Sequence, residues 1–338
     1  MTAMNDARIR LRKQARPRGS LGVLEELAVT VAGMFDTDVP PPPKIRAFAM
    51  CADHGVAEEH VSVFPQEVTK NISHAFLEGR TAFNVFSQHV GADTEVVDCG
   101  VVGDISRSTH LVHRKIREGT DNITKGPAMT MDEALQSLSI GIERALVAHE
   151  QGIRALAVGE IGNSNTTVAA ALLSGMTGIP PFSIVGKGTG ISDWQKIHKI
   201  NVVNRAIMLN SPHLDDPIDC LRTVGGFEIG AMAGLAIGAA SRRMCIVIDG
   251  FISTVAALLA VRINPRVRQY MVFGHLSPEN GHERLLQCLG AKPLLDLGLC
   301  LGEGTGAIIA ANLVRLSCAI LSEMASFDVL QTPNPYEL

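Results

Sequence analysis

Apolar runs of four to seven residues recur along the chain, each closed by glycine or a small polar residue and followed by a helical spacing of apolar positions. Six of them, at 45–51, 94–98, 155–158, 182–185, 245–248 and 270–273, are predicted as strands. Most lack the strict alternation of a strand with one wet face, as expected of strands buried on both faces. Strands of this kind alternating with helices predict an α/β fold, a mostly parallel sheet flanked by helices. Residues 21–34, 283–289 and 307–324 carry the apolar spacing of helices, and the prolines at 40–43 make a rigid break before the first strand. The two chain ends, 1–40 and 305–338, are expected to pack together as a small helical domain beside a large Rossmann-like α/β domain of residues 41–304.

Open α/β sheets bind ligands beyond the carboxyl ends of their strands, so the segments that follow the strands are where chemistry is expected. They read "ADHG", "CGVVG", "GEIGNSNTT", "GKGTG", "DGFIST" and "GHLS", six loops expected to converge on one crevice. "GEIGNSNTT" joins a strand to a helix through a polar glycine turn. Asn165, Thr166 and Thr167 are good N-cap residues, and a helix start with free amides attracts phosphate. The segment reads either as a phosphate cradle around Gly162 or as an ordinary capped helix, and it lacks the G-x-x-x-x-G-K-[ST] pattern of an NTPase loop. Glu160 would repel an anion on its own side of the turn, so it is expected to face a sugar or a second substrate.

In "VGKGTGISD" the glycines 186, 188 and 190 do not make the dinucleotide fingerprint, and Lys187 and Lys199 are each open to two readings, a phosphate partner or a solvated lysine. His54, His275 and His282 adjoin loops without an H-E-x-x-H array, so no metal site is expected. Asp53 and Asp249 close strands, where capping the next turn is the ordinary role and holding a substrate hydroxyl the alternative. Glu303 poses the sharpest question, because "LGEGTGA" is a glycine loop with a carboxylate at its centre, where phosphate would be repelled. Its glycines leave that carboxylate open to a ligand, and partial burial would raise its pKa toward the range of a general base. The plainer reading is a surface loop residue.

Composition narrows the partners. Of 338 residues, 46% are hydrophobic and 4% aromatic, which suits a large core of Ala, Val, Ile and Leu. Thirty Lys and Arg against 34 Asp and Glu give a formal net charge of -4, so no whole-molecule field draws nucleic acid or an acidic membrane, and neither is expected as a partner. The one basic run, at 8–18, reads as a solvated first helix. The seven cysteines form no C-x-x-C pair and lie in apolar segments, the pattern of buried thiols in a reducing cytoplasmic setting. No apolar stretch follows the basic run, so no signal peptide is expected, and the apolar stretches read as too interrupted to span a bilayer.

Taken in order, "RPRGSLGVLEELAVTVAGM", "MCADHGVAEEHVSVFPQEVT", "VGEIGNSNTTVAAALLSGMTG", "KINVVNRAI", "VGGFEIGAMAG", "VIDGFISTVAALLA", "GHLSPENGHERLLQCLG" and "LGEGTGA" resemble the nicotinate-nucleotide–dimethylbenzimidazole phosphoribosyltransferase family over nearly the whole chain. The resemblance implies a dimeric α/β enzyme that moves phosphoribose from nicotinate mononucleotide to an aromatic lower-ligand base of cobamides. It also implies inversion from the β to the α anomer, release of nicotinate, and no metal or other cofactor. By the matching motifs, Glu303 is implied as the general base and Glu160 as the second active-site carboxylate. Gly162, Asn165, Thr166 and Thr167, with Gly188 and Lys199, are implied around the nucleotide phosphate, and Gly302 and Gly304 as the glycines that let the ligands approach.

In benzimidazole-using members of that family, a Ser precedes the proline of the segment matching "VSVFPQEVTKNI" and a Gln stands seven residues after it; this chain has Phe64 and Ile72. These two, with Asp53 and His54, are expected to line the acceptor pocket. Leaving a second ring nitrogen unpaired there would cost about 1–3 kcal/mol. A phenolic acceptor such as phenol or p-cresol is therefore expected ahead of a benzimidazole. Cys300 stands just before "LGEG", where the family often has Arg. The alternative is a non-catalytic or co-catalytic subunit paired with a paralogous chain, and homodimer and heterodimer are both open. A dinucleotide-dependent oxidoreductase fails for want of the glycine fingerprint.

Overall fold

The structure, a computed structural model, describes residues 2–105, 111–188 and 190–336; Thr189 of the "GKGTG" loop and the last two residues of the 305–338 segment lie outside them. The strands are β1 (Ile45–Ala52), β2 (Asp93–Gly100), β3 (Leu111–His113), β4 (Ala155–Ile161), β5 (Cys245–Ile248) and β6 (Met271–Phe273). The helices are α1 (Thr2–Lys13), α2 (Val23–Phe35), α3 (Val68–Leu77), α4 (Ala82–Val90), α5 (Met131–Glu150) and α6 (Asn165–Thr177), then α7 (Asp193–Asn210), α8 (Pro217–Val224), α9 (Phe227–Ser241), α10 (Phe251–Ile263), α11 (His282–Cys288) and α12 (Thr305–Glu323). The six strands form one parallel sheet in the order β3-β2-β1-β4-β5-β6. The chain builds outward from β1 to β3 and then returns to lay β4 on the other side of β1. That reversal is the topological switch point at which open α/β sheets hold their ligands.

Both faces of the sheet are covered, which explains the near-continuous apolar strands. Phe48, Met50, Leu156 and Val158 face one core cluster that includes residues of α5, α6, α9 and α10. Ala47, Ala49, Ala155 and Ala157 face the other, which includes residues of α2, α4 and α12. The alanines matter, because short side chains let α12 lie close over β4 and β5. α12 also meets α1 and α2 at the chain ends, where Ala7, Leu11, Ala28, Val29, Ala32 and Leu321 form a small cluster.

Some expectations are corrected. Residues 182–185 are not a strand. Pro181–Ser183 form a 3-10 turn with Phe182 exposed, because two prolines at 180 and 181 supply no amide for a ladder. β3 has no counterpart among the predicted strands because its three residues make no apolar run. α12 is 19 residues long and apolar enough to cross a membrane by length and composition, but its apolar side is taken up by the sheet and α2. Five cysteines are buried, whereas Cys288 and Cys300 are exposed.

One contact sets how closely the start of α12 approaches β4. A Cβ added at Gly159 of β4 would lie 2.1 Å from Gly304 N and 2.4 Å from the carbonyl carbon of Glu303. Gly159→Ala relieves some unfolded-state entropy, about 0.4–1 kcal/mol, but overpacking costs about 1–3 kcal/mol. The variant is therefore expected to be less stable, with a lower urea midpoint at unchanged slope. An unchanged midpoint would show that α12 is free to shift.

Candidate active site

The Gly159–Gly304 contact brings two acids together. Glu160 is the next residue of β4, and Glu303 precedes α12 in a run of three left-handed residues, Gly302 (φ 79), Glu303 (φ 61) and Gly304 (φ 79). A glutamate in that conformation is strained by roughly 1–2 kcal/mol, a cost that persists where the surroundings over-determine the loop. Here Thr305 donates to Gly302 O from both its amide (3.2 Å) and its hydroxyl (2.9 Å). Asp249, at the end of β5, accepts the Ala307 amide at 2.9 Å, so it does cap a helix, but α12 and not the helix that follows it. His275 Nε2 stands 3.6 Å from the same Asp249 oxygen. Burial, then the Asp249 charge, raises the Glu303 pKa above the ordinary carboxylate range. Burial raises that of Glu160 much further, reinforced by the charges of Glu228, Asp249 and Glu303. The Glu160 carboxylate also accepts a hydrogen bond from Asn165 Nδ2.

Beyond Glu160 the chain turns into α6. Ser164, not Asn165, is the cap residue, in a left-handed conformation and without a side-chain cap, so the helix start keeps no side-chain acceptor of its own. By contrast Thr81, Thr130 and Ser192 close α4, α5 and α7 with capping boxes. Lys199 of α7, 2% exposed, donates to Thr166 Oγ1 at 2.7 Å. Burial lowers its pKa to about 8, opposed by the more distant charge of Glu279. Gly188 (φ 51) leaves the space over this lysine open, since a Cβ there would lie 2.9 Å from Thr166 Oγ1 and 3.3 Å from Lys199 Nζ. A buried cation, an uncapped helix N-terminus and a gap kept by glycine are the parts of an anion cradle.

All of this opens into one cavity of about 330 Å³. Ten predicted site residues line it: Glu303, Glu160 and Gly302; Gly162, Asn165 and Thr166; Gly188 and Lys199; Phe64 and Ile72. The segment at 61–72 supplies an apolar wall of Val61, Phe64, Val68 and Ile72, anchored where Asn163 Nδ2 donates to Phe64 O at 3.2 Å. Cys300 lies at the same cavity.

Four predicted residues are not on its wall. Thr167 faces the core from the first turn of α6, and Gly304 is covered by Gly159. Asp53 turns to accept the Val102 amide at 2.9 Å, and His54 lies behind the Gly162 turn against Glu228. The loops "ADHG" and "CGVVG" thus stand beneath or beside the crevice and do not line it. Asp249, weighed above for a substrate hydroxyl, also lines it, with Ser253, His275 and Ser277 of the loops "DGFIST" and "GHLS"; Glu279 lines it without having been singled out. Their position after β5 and β6 was the available sign.

The profile of a family described as Phosphoribosyltransferase matches residues 1–330. Among curated proteins, the chain is 46% identical over 325 residues to the nicotinate-nucleotide–dimethylbenzimidazole phosphoribosyltransferase of Chloroflexus aggregans (strain MD-66 / DSM 9485), covering 96% of this chain and 92% of the relative. It is 43% identical to the one of the same name from Geobacter sulfurreducens (strain ATCC 51573 / DSM 12127 / PCA), with 96% and 92% covered. Among solved structures, CobT from Thermus thermophilus superposes with a TM-score of 0.94 at 39% identity, over 98% of this chain and 99% of that one.

The cradle makes a prediction that needs no substrate. Moving a lysine pKa from 10.5 to about 8 corresponds to roughly 3 kcal/mol of destabilisation at neutral pH, a cost that fades as pH climbs through that interval. Lys199→Met is expected to raise the unliganded stability by about 1–3 kcal/mol and to abolish the stabilisation by inorganic phosphate expected of the parent chain. A less stable variant that still responds to phosphate would contradict the cradle.

Proposed function

The chain belongs to the nicotinate-nucleotide–dimethylbenzimidazole phosphoribosyltransferase family, and from that premise we propose that it transfers phosphoribose from nicotinate mononucleotide to an aromatic lower-ligand base of a cobamide, with Glu303 as general base. The observation that carries this reading is the buried, unneutralised Lys199 beside the open start of α6, in the same cavity as Glu303. The nucleotide phosphate sits on Lys199, Thr166 and the Gly188 gap. The ribose then lies toward Glu160 and Glu303. The C1′–N bond to the pyridinium breaks with its electron pair going to nitrogen, the acceptor heteroatom bonds to C1′ from the opposite face, and Glu303 takes the acceptor proton. Nicotinate leaves as a neutral pyridine ring, which makes the departure easy.

The raised pKa of Glu303 suits the proton transfer, since a base works best when its pKa lies near the working pH. Glu160, raised further, is the better suited of the two to hold a proton and donate a hydrogen bond to a ribose hydroxyl. Two neighbouring carboxyl groups with separated pKa values take separate tasks. The α12 dipole favours ionised Glu303 and partly offsets its burial.

The acceptor meets the wall of Val61, Phe64, Val68 and Ile72. A phenolic ring presents one polar atom, to Glu303, and leaves the rest against this wall, whereas the second nitrogen of a benzimidazole finds no side-chain partner on those four residues. That difference, about 1–3 kcal/mol, converts to a preference of roughly 5- to 150-fold for the phenolic ring. The test is product formation by the purified chain from nicotinate mononucleotide with equal phenol, p-cresol and dimethylbenzimidazole, read by mass spectrometry beside Glu303→Gln. An O-linked phenolic ribotide in excess is expected, with at least a hundredfold loss in the variant as a rough scale for removing a general base. A dominant benzimidazole product would reject the phenolic preference, and an active Glu303→Gln would reject the base.

A further inference from the structure

Behind the carboxyl end of β4 lies a polar pair that the cavity does not reach. His54 follows β1 and Glu228 sits in the first turn of α9; both side chains are fully buried, with His54 Nε2 3.0 Å from Glu228 Oε1. That approach is an ion-pair contact without hydrogen-bond geometry, and both His54 ring nitrogens and both Glu228 carboxylate oxygens are without a hydrogen-bond partner among the described residues. The imidazole is wedged between two glycine turns. A Cβ at Gly162 would lie 3.1 Å from its Nε2, and one at Gly226 would lie 2.6 Å from its Cε1. Thr69 of α3 holds the same turn from the other side, its hydroxyl accepting the Asn163 amide at 2.8 Å. The turn so held has Glu160 at one end and the start of α6 at the other.

Such a pair adds little to stability, since the desolvation of two charges offsets most of their attraction when few other hydrogen bonds assist. Its location gives it a use. We propose that His54 and Glu228 act as a buried positioning pair for the transfer reaction, holding the Gly162 turn and Glu160 beneath the substrate, with Glu228 acting on the Glu160 carboxyl group. The inference rests on the phosphoribosyl-transfer reading.

The charged and titratable groups around Glu160 come from several elements. They are Glu228 on α9, Asp249 after β5, Glu303 before α12, and Asp53 and His54 after β1, with the Cys51 thiol in β1. His275 after β6 and Lys199 on α7 line the same cavity. After burial, Glu228 is the first of the charges that raise the Glu160 pKa. Burial alone would lower the His54 pKa, but Glu228 and Asp53 outweigh it and raise the net value. With Oε2 engaged by Asn165 and Oε1 directed at the Gly302 loop, the Glu160 carboxyl group is held at a fixed place.

Glu228→Gln keeps the shape and removes the charge. Its kcat is expected to fall about 10- to 100-fold, with KM for nicotinate mononucleotide changed less than about threefold. The Glu160 carboxyl, followed by carbon-13 NMR and assigned with Glu160→Gln, is expected to titrate at least about one pH unit lower than in the parent chain. The double variant His54→Leu/Glu228→Met removes the pair without leaving a lone buried charge, and is expected to melt like the parent while showing the same loss of kcat. Parent-like kcat and Glu160 titration in Glu228→Gln would overturn the inference. So would a loss of activity with an unmoved Glu160 titration, which marks a merely structural pair. A parent chain that transfers no phosphoribose would reject the reaction instead, while the NMR titration would still decide whether Glu228 acts on Glu160.

Discussion

Two glycines in backbone contact, Gly159 in β4 and Gly304 ahead of α12, fix the arrangement on which the site depends. No side chain fits between them, so the loop before α12 rests on the end of the central strand, and the residues beside the contact, Glu160 and Glu303, become neighbours. The alanines of β4 beneath α12 permit that approach along the helix, and Asp249 secures its first turn through the Ala307 amide. Sheet order does the rest, since β1 and β4 flank the switch point and place this contact at the mouth of the crevice.

The electrostatics of the cavity are unbalanced in a way that suits a charged ligand. Lys199 is buried without a carboxylate at hydrogen-bond distance among the described residues, while burial raises the pKa values of Glu160, Glu303 and Asp249, aided at Glu160 and Glu303 by neighbouring carboxylates. Both features weaken the empty protein, and the lysine alone accounts for roughly 3 kcal/mol. A nucleotide brings the missing anion to Lys199. On the proposed reading, the same ligand brings hydroxyl groups to Glu160 and an acceptor proton to Glu303, so groups that are costly when empty are satisfied together when the substrate is bound.

The parallel sheet was legible because its strands are buried on both faces, and β5 has the predicted limits. The 182–185 segment misled because its apolar residues outweighed the two prolines before them, and β3 was too short to leave a pattern. Glu303 stood out as a carboxylate among glycines, and the family resemblance turned that oddity into an expected role. Lys199 could not be told from a solvated lysine, because its burial arises from the packing of α7 on α6. Asp53 and His54 end the right strand, but the chain turns them inward, a fact set by the partners Val102 and Glu228, distant in sequence. Glu228 was readable only as a lone acid in an apolar helix, a pattern that gains meaning once α9 is placed under β4.

The most direct test of the central claim is a crystal structure of the chain soaked with nicotinate mononucleotide. The phosphate is expected within hydrogen-bond distance of Lys199 Nζ, occupying the gap at Gly188, with the ribose between Glu160 and Glu303. A nucleotide bound with its phosphate away from Lys199, or with its ribose remote from Glu303, would contradict it.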